Sequence, residues 1–270
     1  MKKLLLGIGF SFAGLACAAA ADLPVKAPPV YTPAPSWTGF YVGANAGFAW
    51  DANTSASFSG SPGTAVFFAA NEFPNSLTPH PSGVLGGGQI GYNWQITNWL
   101  VGFEADLQGS GYKGSATVNP APTGGFATFA TSVEQHSYWF GTVRGRLGFL
   151  ATPDLLIYGT GGLAFGQTET SFTTVGAGLL LGQCPTNFTC ATASSLGSQA
   201  GWTAGAGLEY MMLPHWSVRA EYLYVSLGSQ SATGLSTATG IACTAAAGCG
   251  FTASAPFREN IVRAAVNYHF

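Results

Sequence analysis

Charge is what this chain has least of. Only 7% of its 270 residues are Asp, Glu, Lys or Arg, where an ordinary soluble domain carries about 25%. The basic residues form no patch, which argues against nucleic acid as a partner. Long apolar runs are missing as well. Beyond the N-terminal segment no stretch reaches the ~18 apolar residues of a membrane helix, although 47% of the chain is hydrophobic. Apolarity without such a run leaves a closed barrel, whose strands satisfy one another's backbone groups, or a soluble Gly-rich β-sandwich. Cysteine is scarce, at 5 residues. Glycine, at 38 residues, and aromatics, at 13%, are plentiful.

The N-terminus reads as a secretory signal. Lys2 and Lys3 supply its charge, Leu4 to Ala16 its apolar core, and Ala19-Ala20-Ala21 the small-residue cleavage site. Cleavage after Ala21 leaves Asp22 first. It moves the formal charge from −2 to −4, because the two lysines are lost. Cys17 raises a lipoprotein alternative, but Gly14-Leu15-Ala16 lacks the large apolar residue wanted three positions earlier. Residues 22–36 hold Pro24, Pro28, Pro29, Pro33 and Pro35 and read as an extended periplasmic linker. Residues 37–270 form the main domain.

Two stretches organise that domain. In Asn260–Phe270, Val262, Ala264, Val266, Tyr268 and Phe270 share one parity and Arg263, Asn267 and His269 the other. In Thr38–Trp50, Phe40, Val42, Ala44, Ala46, Phe48 and Trp50 alternate with Gly39, Tyr41, Gly43, Asn45 and Gly47. Both are period-two strands. If they pair, the sheet closes without an edge. Between them the alternation predicts strands over 83–95, 99–110, 138–150, 155–168, 200–211 and 216–227. The short connections are 96–98, 151–154 and 212–215; the long ones are 51–82, 111–133, 169–199 and 228–256. Roughly eight strands with strictly alternating short and long connections have the asymmetry of an outer-membrane barrel. The outward aromatics fall into two bands. Phe40, Tyr92, Trp94, Trp99, Phe149, Tyr210, Trp216, Tyr268 and Phe270 lie near the short-turn end, and Trp50, Trp139, Trp202 and Tyr224 near the other. Ala44, Val101, Val143, Leu163, Ala206 and Val218 lie between. Two aromatic girdles around an apolar band are what bilayer interfaces select.

Trp37-Thr-Gly-Phe-Tyr-Val-Gly43, Glu221-Tyr-Leu-Tyr-Val225 and the terminal Phe270 resemble the small outer-membrane β-barrel proteins of Gram-negative bacteria, the porin-family or outer-membrane immunogenic proteins. The resemblance runs over nearly the whole mature chain, tightly at the strands and loosely in the loops. It implies an all-β, eight-stranded antiparallel up-and-down transmembrane barrel with four long extracellular loops. It also implies a structural and surface-antigen role in the envelope, and an aromatic end, Phe270 with Tyr268, that the barrel-insertion machinery reads. The partners it implies are outer-membrane lipid and that machinery, with host or surface ligands open at the loops.

The remaining motifs carry little chemistry. Gly86-Gly-Gly88-Gln-Ile-Gly91 matches a dinucleotide fingerprint, but no helix follows to hold a pyrophosphate; the alternation continues through Tyr92 and Trp94. No cofactor is expected. Cys184, Cys190, Cys243 and Cys249 fall as two pairs, one in each of two long connections. An exported chain meets an oxidising compartment, so disulfides lead. Cys184–Cys190 with Cys243–Cys249 is the local pairing, and two cross-loop pairings stay open. No His or acid lies within either pair, which argues against zinc. His136 and Ser137 are adjacent, so on a strand they point to opposite faces. The inward parity places Glu104, Asp106, Arg144, Arg146, Glu209, Arg219, Glu221 and Arg263 inside. In a barrel this narrow, side chains fill the interior. The expected pairs are Glu104–Arg144, Glu209–Arg219 and Glu221–Arg263, giving a plugged lumen. A narrow porin, and less so a lipid enzyme, are the alternatives.

Overall fold

The alternation seen in the sequence becomes a closed ring. The computed structural model describes residues 36–62, 64, 68–69, 71, 73–119, 129–176, 189–235 and 250–270. The proposed signal segment and nearly all of the Pro-rich linker lie outside them. The strands are β1 (Gly39–Asp51), β2 (Ala56–Gly60), β3 (Ser76–Leu77), β4 (Ser82–Ile96), β5 (Trp99–Ser110), β6 (Lys113–Val118), β7 (Phe129–Thr152), β8 (Leu155–Gly176), β9 (Thr189–Leu213), β10 (Trp216–Leu235) and β11 (Gly250–His269).

Eight of them pair antiparallel in the order β1-β4-β5-β7-β8-β9-β10-β11, and β1 pairs with β11 to shut the ring. Following backbone partners from Glu259 through Val225, Thr203, Gly162, Arg144, Glu104, Gly91 and Tyr41 returns to β11 at His269, ten residues along. That stagger is what a tilted sheet needs to close. The short turns lie at 97–98, 153–154 and 214–215, and Thr97 takes a left-handed φ of 56° in the first.

The strands run longer than the alternation predicts. β7 to β11 run 24, 22, 25, 20 and 20 residues, where ~9–11 cross a bilayer. Much of the expected loops 111–133, 169–199 and 228–256 is therefore strand. So is part of 51–82, which supplies β2 and β3. β1, β4 and β5 end lower, and above them β2 pairs with β11 and β6 with β7. The Ser, Thr, Gly and Ala of these segments resemble loop composition. Cross-strand pairing turns them into sheet, because strand preference is set by the neighbours more than by the residue.

Outward side chains between the girdles are exposed and apolar, among them Val101, Val143 and Leu163, and Phe40, Trp94, Trp99, Trp50 and Trp202 stand exposed at the two ends. Inward side chains form layers. Trp37, Leu100, Leu150, Leu156, Tyr158 and Met211 pack at the short-turn end. A charged layer follows. Above it, Leu85, Tyr112, Phe140, Leu223, Phe257 and Ile261 belong to a second apolar layer. Phe58, Phe73, Phe129, Phe172 and Phe251 belong to a third, inside the extension beyond the outer girdle.

Candidate functional site: the packed lumen

Strand parity aims eight charged side chains at one volume. β5 supplies Glu104 and Asp106, β7 Arg144 and Arg146, β9 Glu209, β10 Arg219 and Glu221, and β11 Arg263. None exposes more than 6% of its surface. Room for the layer comes partly from glycine. Gly91 lies opposite Tyr41 and Gly207 opposite Tyr158. A Cβ at Gly91 would sit 2.3 Å from the Tyr41 ring, and one at Gly207 2.5 Å from the Tyr158 hydroxyl.

The charges form one net rather than separate pairs. Arg144 donates to Glu104, to Asp106 at 2.9 Å and to Glu221 at 3.1 Å. Arg263 meets Glu221 at 2.6 Å, Asp106 at 3.0 Å and Glu104 at 3.5 Å. Arg146 donates to Glu209 at 2.6 Å and lies 4.1 Å from the centre of the Tyr158 ring. Arg219 donates to Glu104. Four acids thus balance four arginines, as burial requires. Neutral groups take up some of the remaining valences, while Nε of Arg144, Arg146 and Arg219, Nη2 of Arg219 and Nη1 of Arg263 have no hydrogen-bond partner among the described residues. The Tyr41 hydroxyl donates to Glu104 at 2.6 Å and accepts from Arg146 at 2.7 Å. Tyr158 donates to Glu221 at 2.8 Å, and Ser217 and Asn267 each donate to Glu209 at 2.6 Å.

Two of the expected neighbours, Glu104 with Arg144 and Glu221 with Arg263, do meet. The third is a correction. Glu209 and Arg219 are register partners, yet Arg219 reaches Glu104 and Glu209 is held by Arg146. In so narrow a ring a guanidinium spans the lumen, so partners are chosen across it as well as along the wall.

Below the net, Trp37 is fully buried, donates its indole N–H to the Pro153 carbonyl at 3.0 Å and meets the His269 ring edge-on at 5.6 Å. Above it, Glu259 points inward with no exposed surface, and neither carboxylate oxygen has a hydrogen-bond partner among the described residues. Trp37 and Tyr41 stand in the motif that carries the family resemblance, but neither they nor Tyr158 and Glu259 were expected among the lumen residues. Tyr41 was legible, since it shares parity with Asn45. Glu259 was obscured because it borders the supposed loop 228–256.

The other candidates stand apart. His136 packs at a tilt against Tyr138 with ring centroids 4.1 Å apart, while Ser137 is buried on the opposite face with its hydroxyl unpartnered among the described residues. Cys190 is buried near the start of β9 and disulfide-bonded; Cys184, Cys243 and Cys249 lie outside the described residues. Phe270 is 71% exposed; its amide donates to the Phe40 carbonyl at 3.0 Å, and its ring meets that of Tyr268 edge-on at 5.2 Å.

Comparison with known proteins agrees with this architecture. The chain is 39% identical over 242 residues to the 31 kDa outer-membrane immunogenic protein of Brucella melitensis, covering 86% of this chain and 89% of the relative. It is 31% identical over 213 residues to the 22 kDa outer membrane protein of Rhizobium leguminosarum bv. viciae, covering 78% and 71%. Among solved structures, the outer membrane protein OprG from Pseudomonas aeruginosa overlaps 86% of this chain and 96% of its own, with a TM-score of 0.48 at 13% identity. The family model for the outer membrane protein beta-barrel domain matches residues 8–270. The chain therefore belongs to the outer-membrane protein β-barrel family and resides in the outer membrane.

Proposed function

We propose that this protein is a sealed, structural barrel of the envelope that presents its extension as a surface antigen, and that it is not an enzyme. The observation that carries the sealed reading is the neutral net of eight buried charges, closed below by Trp37 and above by Phe140, Leu223 and Phe257. A conducting pore needs charges facing water, and these face one another. The antigen role extends to this chain what its relatives' names record, an outer-membrane immunogenic protein. The short turns face the periplasm and the extension faces outward, following the usual asymmetry of such barrels. Residues 1–21 are the export signal and 22–36 the periplasmic linker. Sequencing the mature N-terminus tests this, with Asp22 first.

Purified barrel in planar bilayers should conduct weakly or only in brief events. Large, steady channels from a homogeneous preparation would overturn the sealed reading and favour a narrow porin. Phe270 and Tyr268 act as the assembly signal: they end the last strand in an exposed aromatic cluster that the insertion machinery can read. Deleting Phe270 should lower the yield of heat-modifiable barrel in the outer membrane; normal yield would remove that role. The cysteines pair locally, Cys184 with Cys190 and Cys243 with Cys249. Peptide mapping without reduction decides between this and the cross-loop pairings. Outer-membrane lipid is the permanent partner, and ligands from the host or the surroundings meet the extension.

A further inference from the structure

The two ends of the lumen are closed in different ways. Above the charge net the closing side chains, Phe140, Leu223 and Phe257, are rooted in β7, β10 and β11. That closure opens only if the ring does. Below the net the closing side chain is Trp37, which lies outside every strand. Leu100 of β5, Leu150 of β7, Leu156 of β8 and Met211 of β9 share its cluster, and His269 of β11 meets its ring edge-on. The register of β1 with β4 begins at Gly39 and that with β11 at Tyr41. Trp37 therefore hangs below the sheet, and Gly39 is its hinge. The Gly39 φ of 143° is one that a side chain would oppose and that glycine adopts freely.

Few bonds hold the indole in place. The Trp37 amide donates to Gln95 Oε1 at 3.1 Å, its indole N–H to the Pro153 carbonyl, and the Gln95 amide to Thr38 Oγ1 at 3.0 Å. Withdrawing Trp37 breaks these and no strand pairing, and segments held so lightly open before the sheet does. The closed position also carries a cost. Asn93, the register partner of Gly39, is fully buried, and neither its side-chain nitrogen nor its oxygen has a partner among the described residues. A buried amide left so opposes the state that buries it.

We propose that Trp37 is a removable stopper, hinged at Gly39, which admits periplasmic water to the lower lumen while the upper closure stays shut. The water that replaces the indole supplies the partners Asn93 lacks. It reaches the His269–Ser217–Glu209 hydrogen bonds and stops at the charge net, so the open state is a vestibule and not a through channel. The inference rests on the sealed reading and adds which end yields.

The test places a reporter cysteine at either end of the full-length folded barrel. Met211→Cys lies in the lower layer and Leu223→Cys in the upper, both buried. A small charged thiol reagent is added, and labelling is read on the peptide that carries the reporter, apart from the native cysteines. With Trp37 in place Met211→Cys should label slowly. Adding Trp37→Ala should speed it roughly tenfold, and Trp37→Phe by less. Neither should speed Leu223→Cys, and heat-modifiable migration checks the fold of each variant. Asn93→Leu removes the cost of the closed position, so with Trp37 intact it should slow labelling of Met211→Cys several-fold. That variant decides the matter if Trp37→Ala does not fold. Unchanged labelling of Met211→Cys in folded Trp37→Ala, equal acceleration at Leu223→Cys, or an Asn93→Leu chain that labels no more slowly overturns the stopper. Rapid labelling at both ends with Trp37 and Asn93 intact is a different failure: the lumen would be open throughout, and the sealed reading would fall first.

Discussion

The barrel is two proteins back to back along one set of strands. Between the girdles, β7 to β11 put apolar residues outside and charges inside. Beyond the outer girdle the same strands put mostly Ser and Thr outside, with Leu196 among them, and Phe, Val and Ala inside, interspersed with buried Thr131, Gln135, Thr170 and Thr174. The period never changes; the environment on the outer face does. Where that environment is lipid, the polar residues retreat to the lumen and must match one another's charge. Where it is aqueous, the arrangement is that of an ordinary soluble sheet. The two cores should therefore fail differently.

Arg144→Leu strikes the first core and should have the largest effect. It strips Glu104, Asp106 and Glu221 of a shared partner, and removing one side of a buried pair costs roughly 3–5 kcal/mol. The loss should be global, read as a lower denaturant midpoint for the whole heat-modifiable barrel. Lys113→Leu, on an exposed position of β6, should move the midpoint by no more than about 0.5 kcal/mol. Equal effects would mean that the lumen net is loosely hydrated rather than packed.

Phe251→Ala strikes the second core. Emptying a buried aromatic costs about 3–5 kcal/mol where the surroundings cannot collapse, toward the low end here because the extension can relax at its upper rim. The damage should stay local. Protease should cut within the described strands of the extension, while the girdled barrel keeps its heat-modifiable shift. Loss of the membrane barrel itself would show that the two cores are one cooperative unit.

The girdled barrel was legible because lipid imposes a strong signal. Trp and Val on one parity and Glu or Arg on the other favour a ring over a soluble sandwich, and all eight charges could be placed inside from parity alone. The partners were less legible. Glu209 and Arg219 are neighbours on paper, but the reach of a guanidinium across a narrow lumen appears only in three dimensions. The extension was illegible for a different reason. Phe172 between Ser171 and Thr173 is a period-two signal, but it is surrounded by small residues that sheets and loops share. Nothing in the local sequence announces that β8 has a partner in β9 at that height.

Glu259 marks the junction of the two regions, and of the three interior positions it should give the smallest effect, with the opposite sign. It lies on the inward parity of β11 between Phe257 and Ile261, level in the backbone pairing with Asp51 and one position beyond Trp50. The ionic net ends below it at Arg263, whose contacts are to Glu104, Asp106 and Glu221. The apolar layer around it offers its oxygens nothing. A buried polar group without a partner opposes folding, and replacing it with an apolar side chain of similar volume removes that opposition. Glu259→Leu should therefore raise the denaturant midpoint, by about 1 kcal/mol once imperfect packing offsets part of the gain. Glu259→Gln keeps the shape and the polarity, so its gain should be smaller. If Glu259→Leu instead destabilised the barrel as Arg144→Leu does, the carboxylate would have to be a working member of the charge net, and the boundary between the two cores would move up by one layer.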